Sequence, residues 1–244
     1  MILVFGSLNM DLIMRVPSLP RPGETVLCPS YRTLPGGKGN NQAVAAARAG
    51  AATAMVGRVG DDGFGQRLRA NLTDNGVDAA GVTAGANPTG IATIAVDDRA
   101  ENCITVASGA NLELRAEDVA DATLRPGVTV VAQMEVPLAE TLALLRRARA
   151  AGARALLNLA PAPALDADAA VHLATAVANS VDVLVVNELE GAALVGGAAG
   201  TGGDGLALCH RLAADLGTAC VMTLGGQGAV AADGGRLWRV RALP

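Results

Sequence analysis

Ser7, Asn9 and Asp11 follow the apolar run Ile2 to Phe5 at once, and they head a short series of polar groups set where apolar runs end. Gln133 and Glu135 follow the run near residue 130, and Asn158 follows the run near 157. Asn187 and Glu190 come after the run near 184, and Thr223-Leu224-Gly225-Gly226-Gln227-Gly228 after the run near 222. Amides and carboxylates bind hydroxyls well, and one carboxylate accepts from two neighbouring hydroxyls. In open α/β sheets ligands gather at the carboxyl ends of strands. Five polar strand ends on a chain that is 51% hydrophobic therefore argue for a pocket that takes something polar. Asn158 and Asn187, each taken alone, read as readily as cap or turn residues.

A second constellation is Pro35-Gly36-Gly37-Lys38-Gly39-Asn40-Asn41-Gln42, which opens an Ala-rich helix. Its glycines permit close backbone approach to a ligand, the helix start is expected to offer free N–H groups, and Lys38 and Asn41 add donors. The spacing is not that of a Walker A loop. Glycines 225, 226 and 228 between two strands are, by themselves, a hairpin turn. No GxGxxG follows the first strand, which excludes a nicotinamide-type dinucleotide fold. Cys28, Cys103, Cys209 and Cys220 form no CxxC pair, and His172 and His210 add no ligand spacing, so the thiols read as buried and reduced.

The elements that must position these groups follow from periodicity. Strands are predicted at Ile2 to Phe5, Thr53 to Val59, Val128 to Ala132, Ala153 to Leu159, Val181 to Val186, Thr218 to Leu224 and Gly228 to Ala232. Helices are predicted at Lys38 to Arg48, Phe64 to Leu72, about 167–178, near 188–195 and near 204–216. Another follows residue 137, with Leu138, Leu142 and Leu145 on one face. Prolines 17, 20, 22 and 29 break the stretch Leu12 to Tyr31, which reads as an excursion with edge strands around Glu24 to Leu27. Ile91 to Val96 and Asn102 to Ala107 flank a polar turn and form a hairpin. The Ala-Gly stretch 196–205 reads as a loop. Strands alternating with helices imply a parallel sheet, hence one α/β domain with a small β appendage.

Composition narrows the partners. The 244 residues suffice for a substantial core, and the net charge of -4 leaves no basic surface for nucleic acid. The opening segment lacks a basic leader, and no apolar run is long enough for a bilayer, so a soluble cytoplasmic protein without membrane partners is expected.

Taken together, GSLNMD at 6–11, PGGKGNNQAVAAARAG at 35–50, GRVGDDGFG at 57–65 and ASGAN at 107–111 resemble the ribokinase-type sugar kinases of the PfkB group. QMEVP at 133–137, LNLAPA at 157–162, VVNELE at 185–190 and TLGGQG at 223–228 continue the likeness in the same order. The resemblance implies a three-layer α/β/α fold with a mostly parallel central sheet. It also implies a β lid from about 12–35 and 90–107, through which two copies would pair as a homodimer. The sugar site it implies is Asn9, Asp11, Gly37, Lys38, Asn41 and Glu135. Asn187, Thr223, Gly225, Gly226, Gln227 and Gly228 would face ATP, and Glu190 would act on Mg2+ through its water shell. The implied reaction is transfer of the γ-phosphoryl group to the primary hydroxyl of a pentose, D-ribose first, with another sugar or a nucleoside as the alternative. The family's catalytic base, anion hole and K+ loop belong to a GAGD-type motif that the sequence does not reach before Pro244. The expectation is therefore a chain truncated at its C-terminal end, without a catalytic base of its own, and an inactive sugar-binding module is the competing reading.

Overall fold

The computed structural model describes residues 1–162, 166–195 and 204–242, and it divides into two compact units. The predicted loop at 196–205 falls largely outside the described residues. No described helix is long and apolar enough to cross a membrane.

The first unit, Met1–Asp118 with Glu135–Pro137, holds two sheets. In one, β1 (Ile2–Phe5) pairs in parallel with β4 (Thr53–Val59), and β4 pairs in parallel with β5 (Val77–Ala84). The other sheet has the order β3-β2-β6-β7, built from β2 (Asn9–Arg15), β3 (Tyr31–Gly36), β6 (Gly90–Val96) and β7 (Asn102–Ala107). β2 runs antiparallel to β3 and parallel to β6, and β6 and β7 form the antiparallel hairpin. Residues 24–27, expected as an edge strand, carry no regular element. Strand structure begins instead at Asn9, because pairing with β3 and β6 satisfies the backbone that the prolines further on cannot.

Helix α1 (Lys38–Arg48) keeps its predicted bounds: alanines fill it, and Gly50 at φ 89 turns the chain away after it. Helix α2 (Gly63–Asp74) starts on Asp62, whose side chain accepts from the Gly65 N–H, and stops at Asn75-Gly76. Phe5, Leu3, Leu8, Met10, Met55, Leu68, Leu72 and Leu114 are the largest fully buried side chains of this unit. Each such side chain contributes about 1.5–3 kcal/mol of burial free energy.

The second unit, Val119–Met134 with Leu138–Pro244, contains β8 (Thr129–Ala132), α3 (Leu138–Ala150), β9 (Arg154–Asn158), α4 (Ala167–Ser180) and β10 (Val183–Asn187). It continues with α5 (Glu188–Leu194), α6 (Gly205–Leu216), β11 (Ala219–Thr223), β12 (Ala229–Asp233) and β13 (Arg236–Val240). β8, β9, β10 and β11 are parallel neighbours in that order, and β12 and β13 add antiparallel at the end. The buried stripe of α3 is Thr141, Leu144, Leu145 and Ala148, so the predicted face is rotated: Leu138 and Leu142 sit at its half-buried margin. Cys209 and Cys220 are buried as expected, with the Cys209 Sγ donating to the Cys220 carbonyl at 3.4 Å, whereas Cys103 on β7 is exposed and Cys28 is half-buried, so burial does not hold for all four thiols.

Candidate functional site

In the first unit Asn9 and Asp11 stand two residues apart on β2 and therefore project from the same face of the small sheet. Asn9 faces glycine on both neighbours, Gly36 of β3 and Gly90 of β6, and Asp11 faces Leu34 and Ala92. The Asp11 carboxylate leans over Gly36, where any Cβ would collide with it. Among the described residues no group donates a hydrogen bond to this carboxylate. Burial pushes its pKa up, and the negative charge of Glu135 pushes in the same direction. A half-buried carboxylate without protein donors has its acceptor capacity open to a ligand.

The glycine segment closes against the same strand end. Gly37, at φ 89, passes so near β2 that a Cβ would lie 2.8 Å from the Asn9 nitrogen and 2.9 Å from the Ser7 oxygen. A Cβ on Gly39 would lie 2.6 Å from the Ser7 nitrogen. The expectation of free N–H groups at the start of α1 does not hold. The Lys38 N–H donates to Glu135 Oε2 at 3.0 Å, the Gly39 N–H to Ser7 Oγ at 3.3 Å, and the Asn40 N–H to the Ser7 carbonyl at 2.9 Å. Ser7 Oγ in turn donates to Glu135 Oε2 at 2.6 Å. Glu135 and Ser7 thus cap α1 from outside the helix, and this consumes the donors a ligand would otherwise meet.

Side-chain groups remain. Lys38 Nζ is 3.8 Å from Glu135 Oε1 and is partly exposed, a loose ion pair that leaves ammonium donors for a ligand. Asn41 is exposed; its Oδ1 accepts from Asn40 Nδ2 at 3.2 Å, which leaves its own amide hydrogens available. Asn40 is fixed in turn by Asn71 Nδ2 at 3.1 Å. Asn9, Asp11, Gly37, Lys38, Asn41 and Glu135 all belong to this one unit.

Two supports escaped sequence reasoning. Asp62 caps α2 and also accepts from the Thr89 N–H at 2.8 Å and the Thr89 hydroxyl at 2.6 Å, tying the GRVGDDGFG turn to the strand that carries Gly90. Burial works to raise its carboxyl, but the hydrogen bonds from Thr89, Gly65 and Phe64 outweigh that and hold it below the usual range. Asn111, 1% exposed, braces Leu8 and Asn9. Both lie within the motifs GRVGDDGFG and ASGAN, and the cap of α2 is a local signal, but the partners Thr89 and Leu8 lie 27 and more than 100 residues away in sequence.

In the second unit Asn187 and Thr223 are register partners at the ends of the parallel strands β10 and β11. Asn187 caps α5 in a reciprocal box: its Oδ1 accepts from the Glu190 N–H at 2.8 Å, and Glu190 Oε2 accepts from the Asn187 N–H at 2.8 Å. Glu190 is 8% exposed, and Oε2 is spent on this cap, which leaves Oε1 for other partners. Thr223 is exposed and begins a tight turn in which the Leu224 N–H donates to the Gly228 carbonyl at 2.8 Å. Gly225 and Gly228 take φ values of 54 and 97, and a Cβ on Gly228 would overlap the Val240 carbonyl. Nothing lies within 4 Å of a Cβ built on Gly225 or Gly226, so backbone and Gln227 form an open, exposed shelf beside Asn187. A single carboxylate oxygen such as Glu190 Oε1 suits Mg2+, which keeps most of its waters and takes its remaining ligands from phosphates.

A family model described as pfkB family carbohydrate kinase matches residues 1–244. Among curated proteins, the ribokinase of Haemophilus influenzae is 34% identical over 196 residues, which cover 79% of this chain and 61% of that protein. The ribokinase of Lactococcus lactis subsp. lactis is 32% identical over 243 residues, covering 98% of this chain and 75% of that one. Among solved structures, Arabidopsis thaliana ribokinase complexed with ribose and ATP superposes with a TM-score of 0.80 at 26% identity, covering 100% of this chain and 78% of that one. The chain thus spans about three fifths of the length of the first of these relatives. The shared fold is three-layer α/β/α, with a large, mostly parallel sheet and a smaller second sheet.

Proposed function

Since the chain belongs to the pfkB family of carbohydrate kinases, we propose that it serves ATP-dependent phosphorylation of the primary hydroxyl of a pentose, with D-ribose as substrate and ribose 5-phosphate as product. The observation that carries the sugar half is Asp11: a half-buried carboxylate to which no described residue donates, leaning over Gly36 and set two residues from the buried Asn9. Such a group accepts from two adjacent hydroxyls, and buried groups built for hydroxyls reject analogues lacking them. Lys38 and Asn41 supply donors from the start of α1, while Glu135 holds that start in place. The choice of ribose is supported by the curated ribokinases and by the ribose in the Arabidopsis complex.

The nucleotide half is assigned to the shelf Thr223, Gly225, Gly226, Gln227 and Gly228 with Asn187, where main-chain groups and small residues admit a flat base or ribose moiety. Glu190 holds Mg2+ through water from Oε1, and when bound the ion neutralises the phosphate charge that phosphoryl transfer redistributes. No described residue is assigned to take the proton from the sugar hydroxyl. A homodimer paired through the small sheet is part of the same proposal. The face that bears Asp11 continues through Leu34, Ile104 and Val106, which are 41%, 53% and 45% exposed.

Titration calorimetry tests the reading directly. Saturable binding of ribose, and separately of Mg2+–ATP, is expected from the folded protein. Absence of any ribose binding at millimolar sugar overturns the substrate assignment.

A further inference from the structure

Asn9 is 2% exposed, yet its Nδ2 donates to no described protein group and is not sealed from solvent. A buried amide costs free energy unless another group hydrogen-bonds it. Asn111, at the third position of the short 3-10 helix Gly109–Glu113, does so. Its Oδ1 accepts from the Leu8 N–H at 2.9 Å, and its Nδ2 donates to the Leu8 carbonyl at 3.2 Å. Backbone N–H and C=O groups cannot exchange roles, so this pair sets the orientation of the Asn111 amide unambiguously. The same Nδ2 then donates to Asn9 Oδ1 at 2.8 Å. Asn9 is therefore compelled to turn its oxygen inward and its NH2 outward.

We infer that Asn111 is a positioning residue of the sugar site, which locks the Asn9 amide so that Nδ2 is presented as a donor to a sugar hydroxyl. The inference rests on the proposal that ribose binds beside Asn9 and Asp11. Asp11 and Asn9 then divide the labour on one strand face: the carboxylate accepts, the amide donates, and the sugar is held in one orientation. Gly90 belongs to the same device. It is the β6 partner of Asn9, and a Cβ there would overlap both Asn9 Oδ1 and Asn111 Nδ2, so only glycine leaves room for the amide pair. With a free amide at position 9, rotation by half a turn would present an acceptor instead of a donor. The site would then bind two orientations of sugar without distinguishing them.

A double-mutant cycle on ribose affinity separates positioning from mere structural support. Asn9→Ala and Asn111→Ala are each expected to weaken ribose binding roughly ten- to a hundredfold. The double variant is expected to be no weaker than the weaker single, because Asn111 acts through Asn9. Additive losses, or an Asn111→Ala protein with unchanged affinity, overturn the inference. If Asn111→Ala does not fold, the unmodified protein still decides the matter by amide NMR. The Asn111 side-chain hydrogens should exchange slowly with water in the free protein, and those of Asn9 should become protected and shift when ribose is added. Asn9 hydrogens already protected without sugar, or unmoved by it, also overturn it. An unmodified protein that binds no ribose fails differently, since that outcome removes the substrate proposal and not the Asn9–Asn111 geometry.

Discussion

Asp11 combines two opposed demands. A carboxylate that is to accept from sugar hydroxyls must be left without protein donors, and that same neglect makes its charge costly in the free protein. Asp11→Asn is expected to weaken ribose binding by about 1–3 kcal/mol, measured by calorimetry, as one partner of a buried hydrogen-bond set is compromised. The pH dependence follows from the raised pKa, whose causes are burial and then Glu135. Ribose affinity should fall as pH drops through that raised value, since only the ionised group accepts from two hydroxyls. Stability of the free protein runs the other way. A folded-state pKa above the unfolded one means stability that is present at low pH and is lost as pH rises through the folded value. Asp11→Asn should thus leave the free protein's Tm at neutral pH equal to or above that of the unmodified protein. A clear drop in Tm would show that the carboxylate serves the fold after all.

At the level of elements, the two half-sites rest on capping, and in each the residue that caps is one the sequence had marked for a ligand. Glu190→Gln keeps an acceptor for the Asn187 N–H and removes only the charge. Helix α5 should therefore hold, with stability changed by less than about 0.5 kcal/mol. Affinity for Mg2+–ATP should fall while affinity for metal-free ATP stays level. Equal losses for both nucleotide forms would place Glu190 in the cap alone. In the other half-site, Gly39→Ala drives a methyl group into the Ser7 backbone, 2.6 Å away, so α1 must move off the end of β1. Overpacking of this kind costs about 1–3 kcal/mol, read in urea unfolding, and ribose binding should weaken with it.

The elements also show what a single sequence discloses. Lys38 to Arg48 and Thr53 to Val59 were legible to the residue, because alanine runs and buried aliphatic runs are each bounded by glycine or turn signals. β5, with the sequence VDAAGVTA, and β13, with RLWRV, were not. The first lacks a β-branched run, and the second lies exposed at a sheet end with arginines on it, so neither follows the pattern of a buried strand. The polar residues around Asn9 and Asp11 were legible as types at strand ends. Their hydrogen bonding to one another was not, because Ser7, Glu135 and Asn111 act across 32 to 128 residues of sequence.

At the scale of the whole molecule, two of the apolar regions left open among the described residues differ in how they are protected. Leu237, Trp238 and Val240 of β13 are 47%, 46% and 66% exposed, but Arg236, Arg239 and Arg241 stand among them. Like charges along an edge strand oppose pairing with a second copy. The β7 edge of the small sheet carries no charged residue: Ile104 and Val106 lie open there and Leu34 lies open on β3, while the cations of the Asp11 face, Arg32 and Arg15, stand on β3 and β2. Self-association should therefore use the small sheet and spare β13. Ile104→Glu is expected to turn a dimer into a monomer in sedimentation equilibrium, with Tm of the monomeric protein little changed because the position is already exposed. Trp238, the only tryptophan, reports independently on the other region. Its quenching by acrylamide should stay the same from the concentration at which monomers prevail to that at which dimers do. Quenching that falls as dimers form would place the interface on β13, and the small sheet would then be left without its proposed second copy.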